Sequence, residues 1–147
     1  MTVEVTGLHA ADLPRWTELW REYLAFYGVT LPDEVYGNTW SRIQHGAALH
    51  GLAARHDGRI VGITHFLLHE SAWTMTPVCY LQDLFVDEAS RGQGAARALI
   101  GAVADHAQRV ACARMYWLTQ DHNAVARRLY DQVAKHNGFI RYDYTLA

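Results

Sequence analysis

The chain has 147 residues, half of them hydrophobic, with 13 Lys and Arg against 15 Asp and Glu and a formal net charge of -2. This is the length of one domain able to bury a core, expected over residues 1–147, and the charge balance supplies no basic face for nucleic acid. No apolar run approaches the roughly 20 residues of a membrane span and the N-terminus carries no basic-then-apolar signal, so a cytoplasmic protein with no membrane or nucleic-acid partner is expected.

Thr2 to Leu8 alternates as a first strand. Asp12-Leu13-Pro14 then opens a helix, since proline fits the first turn, and Trp16, Leu19, Trp20, Tyr23, Leu24 and Tyr27 recur at helical spacing before Gly28 ends it. A second helix follows from Thr30, a candidate cap, with Asp33 and Glu34 favoured in its first turn and Tyr36, Trp40 and Ile43 as its apolar stripe. Gly51 to Arg55 and Ile60 to Leu68 flank Asp57-Gly58, a strong hairpin signal. A polar loop from Glu70 to Pro77, with Trp73 exposed, leads to an apolar strand ending at Val86. From Gly92 a helix carries Ala96, Leu99, Ile100, Val103, Ala107 and Val110 on one side. Met115 to Thr119 is the next strand, Asn123 caps a helix bearing Val125, Leu129 and Val133, and Phe139 to Leu146 alternates as a final strand. The order strand, two helices, three strands, helix, strand, helix, strand predicts an α/β fold with a single mixed central sheet flanked by helices.

Cys79 and Cys112 lie in apolar contexts as free thiols, and the nine histidines lack ligand spacing, so neither a disulfide nor a metal site is expected. The chemistry concentrates in Asp87-Glu88-Ala89-Ser90-Arg91-Gly92-Gln93-Gly94-Ala95-Ala96, where a strand hands the chain to a helix through glycines. Glycines admit close backbone approach, and the unpaired N–H groups of the helix start attract an anion such as phosphate. A dinucleotide-binding turn would place a third glycine where Arg97 stands and an acid on the next strand, which has none. The pattern Arg/Gln-x-x-Gly-x-Gly/Ala is instead filled by Arg91, Gly94 and Ala96, and it is followed downstream by Asn123-Ala124-Val125-Ala126-Arg127-Arg128-Leu129-Tyr130.

These motifs, with Tyr80-Leu81-Gln82-Asp83-Leu84-Phe85-Val86 before them, resemble the GNAT N-acetyltransferase superfamily, and most closely its histone, polyamine and small-amine branch. The resemblance implies acetyl-CoA as cosubstrate. Its pyrophosphate would lie on the backbone from Arg91 through Gly92, Gln93, Gly94 and Ala95 to Ala96, and its pantetheine arm on backbone groups of Leu84, Phe85 and Val86 freed by a splayed, bulged strand. Asn123 would be a helix cap and a cofactor contact, Arg127 would reach the phosphates, and Tyr130 would protonate the departing thiolate, a sensible task for a phenol with an ordinary pKa near 10. A solvated helix face is the commoner meaning of the Arg127-Arg128 pair. The first two helices would wall the acceptor site with Tyr27, Tyr36 and Trp40, although such rings are more often core.

The polyamine-type relatives carry a glutamate where this chain has Gln82, which can orient an amine but cannot be a base. Asp83 is the first candidate base, ahead of Glu34, Glu70 and Asp121, yet adjacent strand residues face opposite sides, so Gln82 and Asp83 line one pocket only on a distorted backbone. Relatives also place two strands after the last helix where this chain has one, so a partner copy completing the sheet in a homodimer is expected. The leading reading is an N-acetyltransferase acting by direct attack of a primary amine (a small amine, amino acid, polyamine or lysine side chain) on the thioester. The alternatives are a non-catalytic acyl-CoA-binding or sensing domain and a nucleotide-binding module.

Overall fold

A computed structural model describes residues 2–147 and divides them into two compact units, one ending at Trp117 and one spanning Leu118–Ala147. The first unit contains β1 (Glu4–Gly7), α1 (Leu13–Phe26), α2 (Asp33–His45), β2 (Leu49–His56), β3 (Arg59–His69), β4 (Val78–Val86), α3 (Ala95–Arg109) and β5 (Arg114–Tyr116); the second contains α4 (Ala124–Val133). The sheet runs β1-β2-β3-β4-β5, antiparallel except for the parallel β4–β5 pair. The expected class of mixed α/β fold is therefore present, with five strands.

Local chemistry accounts for the element ends. Pro14 lies in the first turn of α1, and the helix closes in a Schellman motif, with Gly28 N–H donating to Ala25 O, Val29 N–H to Leu24 O, and Gly28 at φ +70°. α2 starts after Pro32, whose φ of -59° is already helical, so Pro32 rather than Thr30 stands at its N-cap. Asp57 and Gly58 both take positive φ between β2 and β3, the requirement of a two-residue type I′ turn.

The core has two faces. Trp16, Leu19 and Trp20 of α1 and Tyr36 of α2 cluster with Ala53, Ile60 and Ile63 of the sheet, while Ala95 and Leu99 of α3 cluster with Ala54 and Val61. Complete burial of a large side chain contributes about 1.5–3 kcal/mol, so these clusters carry much of the fold's stability. Gly62 permits the close approach behind β4: a Cβ there would lie 3.1 Å from Phe85 O and 3.3 Å from Leu99.

Three further expectations are corrected. β5 ends at Tyr116 rather than Thr119, and Val110 lies just past α3, 45% exposed. Phe139 to Leu146 forms no strand among the described residues. Its alternation is that of a strand, but a strand exists only with a hydrogen-bonded neighbour, and none is supplied within Leu118–Ala147.

Candidate active site

β4 is the spine of the site, and it is asymmetrically paired. On one edge β3 follows it from His69↔Val78 to Gly62↔Val86; on the other, β5 pairs with Val78, Cys79 and Tyr80 alone. From Leu81 to Val86 the second edge therefore faces no strand among the described residues, which leaves alternate backbone donors and acceptors there for another partner. At the end of β4, Asp87 N–H donates to Val61 O across β3, so the Val86 carbonyl at the other end of that peptide points to the open edge. The Arg91 Nε meets it at 3.2 Å. Arg15 of α1 pins the turn, donating from Nη2 to Asp87 Oδ2 at 3.0 Å and from Nε to Ile60 O at 3.0 Å.

Beyond the turn, Gly92 and Gly94 take φ of +79° and +88°, and a Cβ added at either would meet no atom within 4 Å. Gly94 is the N-cap of α3 and has no side chain to cap the helix, so the first-turn N–H groups beside Ala95 and Ala96 keep their donors for a ligand. Left-handed glycines at an uncapped helix start are a geometry that an anion can approach. Arg91 is exposed, with its guanidinium 5.7 Å from the Phe85 ring centre.

The backbone distortion that Gln82 and Asp83 would need in order to line one pocket is present. His65 of β3 pairs with Asp83 and Phe66 with Leu81, which leaves Gln82 as the extra residue of a bulge. Without it Leu81 and Asp83 would share a face; with it Leu81 is buried, Gln82 is exposed, and Asp83 turns to α1. There Asp83 Oδ2 lies 2.9 Å from His65 Nδ1, and Trp16 Nε1–H donates to His65 Nε2 at 2.8 Å. The His65 side chain is 1% exposed and that of Asp83 20%. Trp20 lies edge-on to His65, ring centres 5.6 Å apart, and its own buried Nε1 has no hydrogen-bond partner among the described residues.

Of the expected acceptor wall, Tyr36 is buried edge-on against Trp20 and belongs to the core, while Trp40 tilts against Trp16 and is half-buried. Tyr27 is half-buried against Tyr23, which in turn meets Phe85. Glu34 and Glu70 are exposed on other segments.

Within Leu118–Ala147, Asn123 caps α4 as expected, its side-chain oxygen accepting from Ala126 N–H at 3.3 Å. Arg127 Nη1 donates to Asp121 O at 2.8 Å and to its carboxylate at 3.1 Å, so this arginine braces the loop before α4. Tyr130 is half-buried on the same helix.

Trp16 and His65 were not singled out from the sequence. A histidine inside the apolar run Ile60 to Leu68 was the available signal, but its indole partner lies 49 residues away and its carboxylate partner depends on the bulge.

Residues 14–135 match the family model described as the acetyltransferase (GNAT) family. The chain is 33% identical over 135 residues to the D-amino-acid N-acetyltransferase HPA3 of Saccharomyces cerevisiae, covering 90% of this chain and 84% of that protein. Among solved structures, the ribosomal-protein-alanine N-acetyltransferase of Brucella melitensis is 25% identical with a TM-score of 0.79, over 99% of this chain and 100% of that one. The aminoglycoside N-acetyltransferase AAC(6')-Iy in complex with CoA is 18% identical, covers 99% and 96% of the two chains and has a TM-score of 0.85, a likeness of fold.

Proposed function

Because the chain belongs to the GNAT acetyltransferase family and is an acetyl-CoA-dependent N-acetyltransferase, we propose that its acceptor is a small primary amine, with amino acids first in line and polyamines and lysine side chains behind them. The 33% identity to a D-amino-acid N-acetyltransferase supports the amino-acid reading. The observation that carries the site is the open length of β4, Leu81 to Val86, running into a glycine cradle at an uncapped helix start.

Acetyl-CoA supplies an activated acetyl group. The backbone from Arg91 to Ala96 would hold its pyrophosphate, and the open-edge groups of Leu84 and Val86 its pantetheine arm and thioester carbonyl, so that N–H donors face the oxygen where charge develops; Phe85, expected to join them, turns its own N–H and C=O to Ile63 of β3. Asp83 is the proposed base for the amine proton, Gln82 orients the amine, and Tyr130 returns a proton to the thiolate. Tyr27 and Trp40, both half-buried, are the members of the aromatic wall left to touch acceptor. Direct attack is favoured over an acetyl-cysteine route, because burial chiefly, then the neighbouring Cys112, pushes the Cys79 thiol up to about 11 and leaves it un-ionised at neutral pH. We further propose a cytoplasmic homodimer, the exposed strand-like segment from Phe139 to Leu146 finding its pairing partner on a second copy.

The test is CoA release from acetyl-CoA across D- and L-amino acids, spermidine and a lysine peptide. Acceleration by an amino acid supports the proposal, and a panel in which amino acids are silent removes them as acceptors. Thermal shift with CoA, NAD and ATP separates the nucleotide-module alternative, since a ligand at a hundred times its Kd stabilises by about 2.7 kcal/mol.

A further inference from the structure

Resting on the reading of Asp83 as the base, we propose that His65 is a positioning residue: locked by Trp16 in its Nδ1–H form, it holds one oxygen of the Asp83 carboxylate and leaves the other for the amine. The donor inventory forces the tautomer. An indole N–H only donates, so a 2.8 Å contact from Trp16 Nε1 requires the lone pair on His65 Nε2. The neutral ring then carries its proton on Nδ1, which donates to Asp83 Oδ2 at 2.9 Å. An imidazolium would set N–H against N–H at the Trp16 end. The groups facing the ring are the indoles of Trp16 and Trp20 from α1, Gly51 at the paired position of β2, and Asp83 from β4.

Two consequences separate this arrangement from a hydrolase triad. His65 does not relay a proton, because its only acceptor nitrogen is occupied by Trp16. The proton balance therefore runs elsewhere. The amine N–H bond breaks as Asp83 gains O–H, the nitrogen bonds the acyl carbon as the C–S bond breaks, and Tyr130 protonates the thiolate. Solvent, which reaches the 20% exposed Asp83, then returns the proton to the phenolate. The second consequence is directional. The bulge at Gln82 delivers Asp83 to the α1 face, and the imidazole fixes which way its carboxylate turns there.

Two measurements test the inference. Long-range nitrogen–proton NMR of the histidine side chains in the intact protein, at a pH where the ring is neutral, should show His65 as the Nδ1–H tautomer; an Nε2–H form overturns the lock. Then, with acetyl-CoA and the best amine of the panel above, His65→Asn and His65→Gln are compared. An asparagine amide reaches the place of Nδ1 and still donates to Asp83, whereas a glutamine reaches the place of Nε2, still accepts from Trp16 and abandons Asp83. His65→Asn should keep kcat near wild type, and His65→Gln should lose on the order of 10²-fold in kcat at unchanged KM for acetyl-CoA. Equal kcat in the two variants overturns the positioning role. Asp83→Asn separates the failures: full kcat there sinks the base reading itself, while lost kcat beside equal His65 variants sinks the role of His65 alone.

Discussion

Tyr130 is assigned one act, the return of a proton to a leaving thiolate, and a phenol differs from a phenyl ring by that capacity. Tyr130→Phe should therefore lower kcat by roughly 10²-fold or more while the KM for acetyl-CoA holds, because general acid catalysis is realised in the transition state. Steady-state kinetics paired with CoA thermal shift reads both, and unchanged kcat would strip Tyr130 of the role. Residues whose work is set by nearby sequence were legible without coordinates. Asn123 reads as a cap from its place before an apolar helical stripe, and it is one. Residues whose work depends on distant partners were not. Asp83 was ranked first among the carboxylates only as the nearest one, and neither the bulge that turns it nor the Trp16 and His65 pair that meets it leaves a mark in local pattern. Tyr36 and Trp40 show the converse. Their helical spacing fits both core and pocket, and packing against Trp20 gives Tyr36 to the core while Trp40, against Trp16, stays half-buried.

At the scale of the element, the start of α3 joins fold and function through one residue. Gly94 sits at φ +88°, ψ 4° as N-cap with open space where a side chain would begin, so the conflict there is conformational rather than steric. Gly94→Ala should cost about 1–2 kcal/mol, the penalty of a left-handed conformation for an L-residue, and lower Tm by roughly 2–8 °C for a chain of this size. It should also raise the KM for acetyl-CoA, since the alanine methyl enters the space proposed for the diphosphate. A variant with lowered Tm and untouched KM would remove this loop from cofactor binding. Most elements were readable because each rests on local signals, from Pro14 and Gly28 bracketing α1 to Asp57-Gly58 joining β2 and β3. Apart from the expected strand Phe139 to Leu146, which has no ladder within Leu118–Ala147, the misreadings fell at element ends. The hydroxyl of Thr30 suits a cap, whereas the φ of Pro32 begins α2, and β5 stops at Tyr116 because a strand lasts only as long as its ladder with β4.

At the scale of the molecule, Phe139, Ile140, Tyr142, Tyr144 and Leu146 are 73% to 90% exposed, an apolar strand-like segment unsuited to standing alone in water. The proposed dimer predicts that removal of residues 139–147 converts a two-chain species to one chain in sedimentation, and a monomeric full-length chain would refute it. The pH dependence of stability is a separate property, carried by two half-buried groups of the first unit. Burial chiefly, then nearby His106, holds His50 below its ordinary 6.5. The unfolded chain thus binds that proton more readily, and the stability His50 contributes is full above pH 6.5 and is lost as pH falls through its folded value. The hydrogen bond from Arg55 chiefly, against the opposing cost of burial, holds Asp12 below 3.8, across a 2.6 Å ion pair joining β2 to the residue before α1. Its contribution is full above pH 3.8 and is lost as pH falls through the lowered folded value. Urea midpoints measured against pH should accordingly be level near neutrality, fall in a first limb that begins just below pH 6.5, and fall again below about pH 3.8. His50→Phe, which keeps an aromatic ring stacked on Phe66, should flatten the first limb alone. Asp12→Asn should lower the neutral midpoint and flatten the second, because the charge that Arg55 binds is gone at every pH. A first limb that survives in His50→Phe would place the mild-acid sensitivity on some other group.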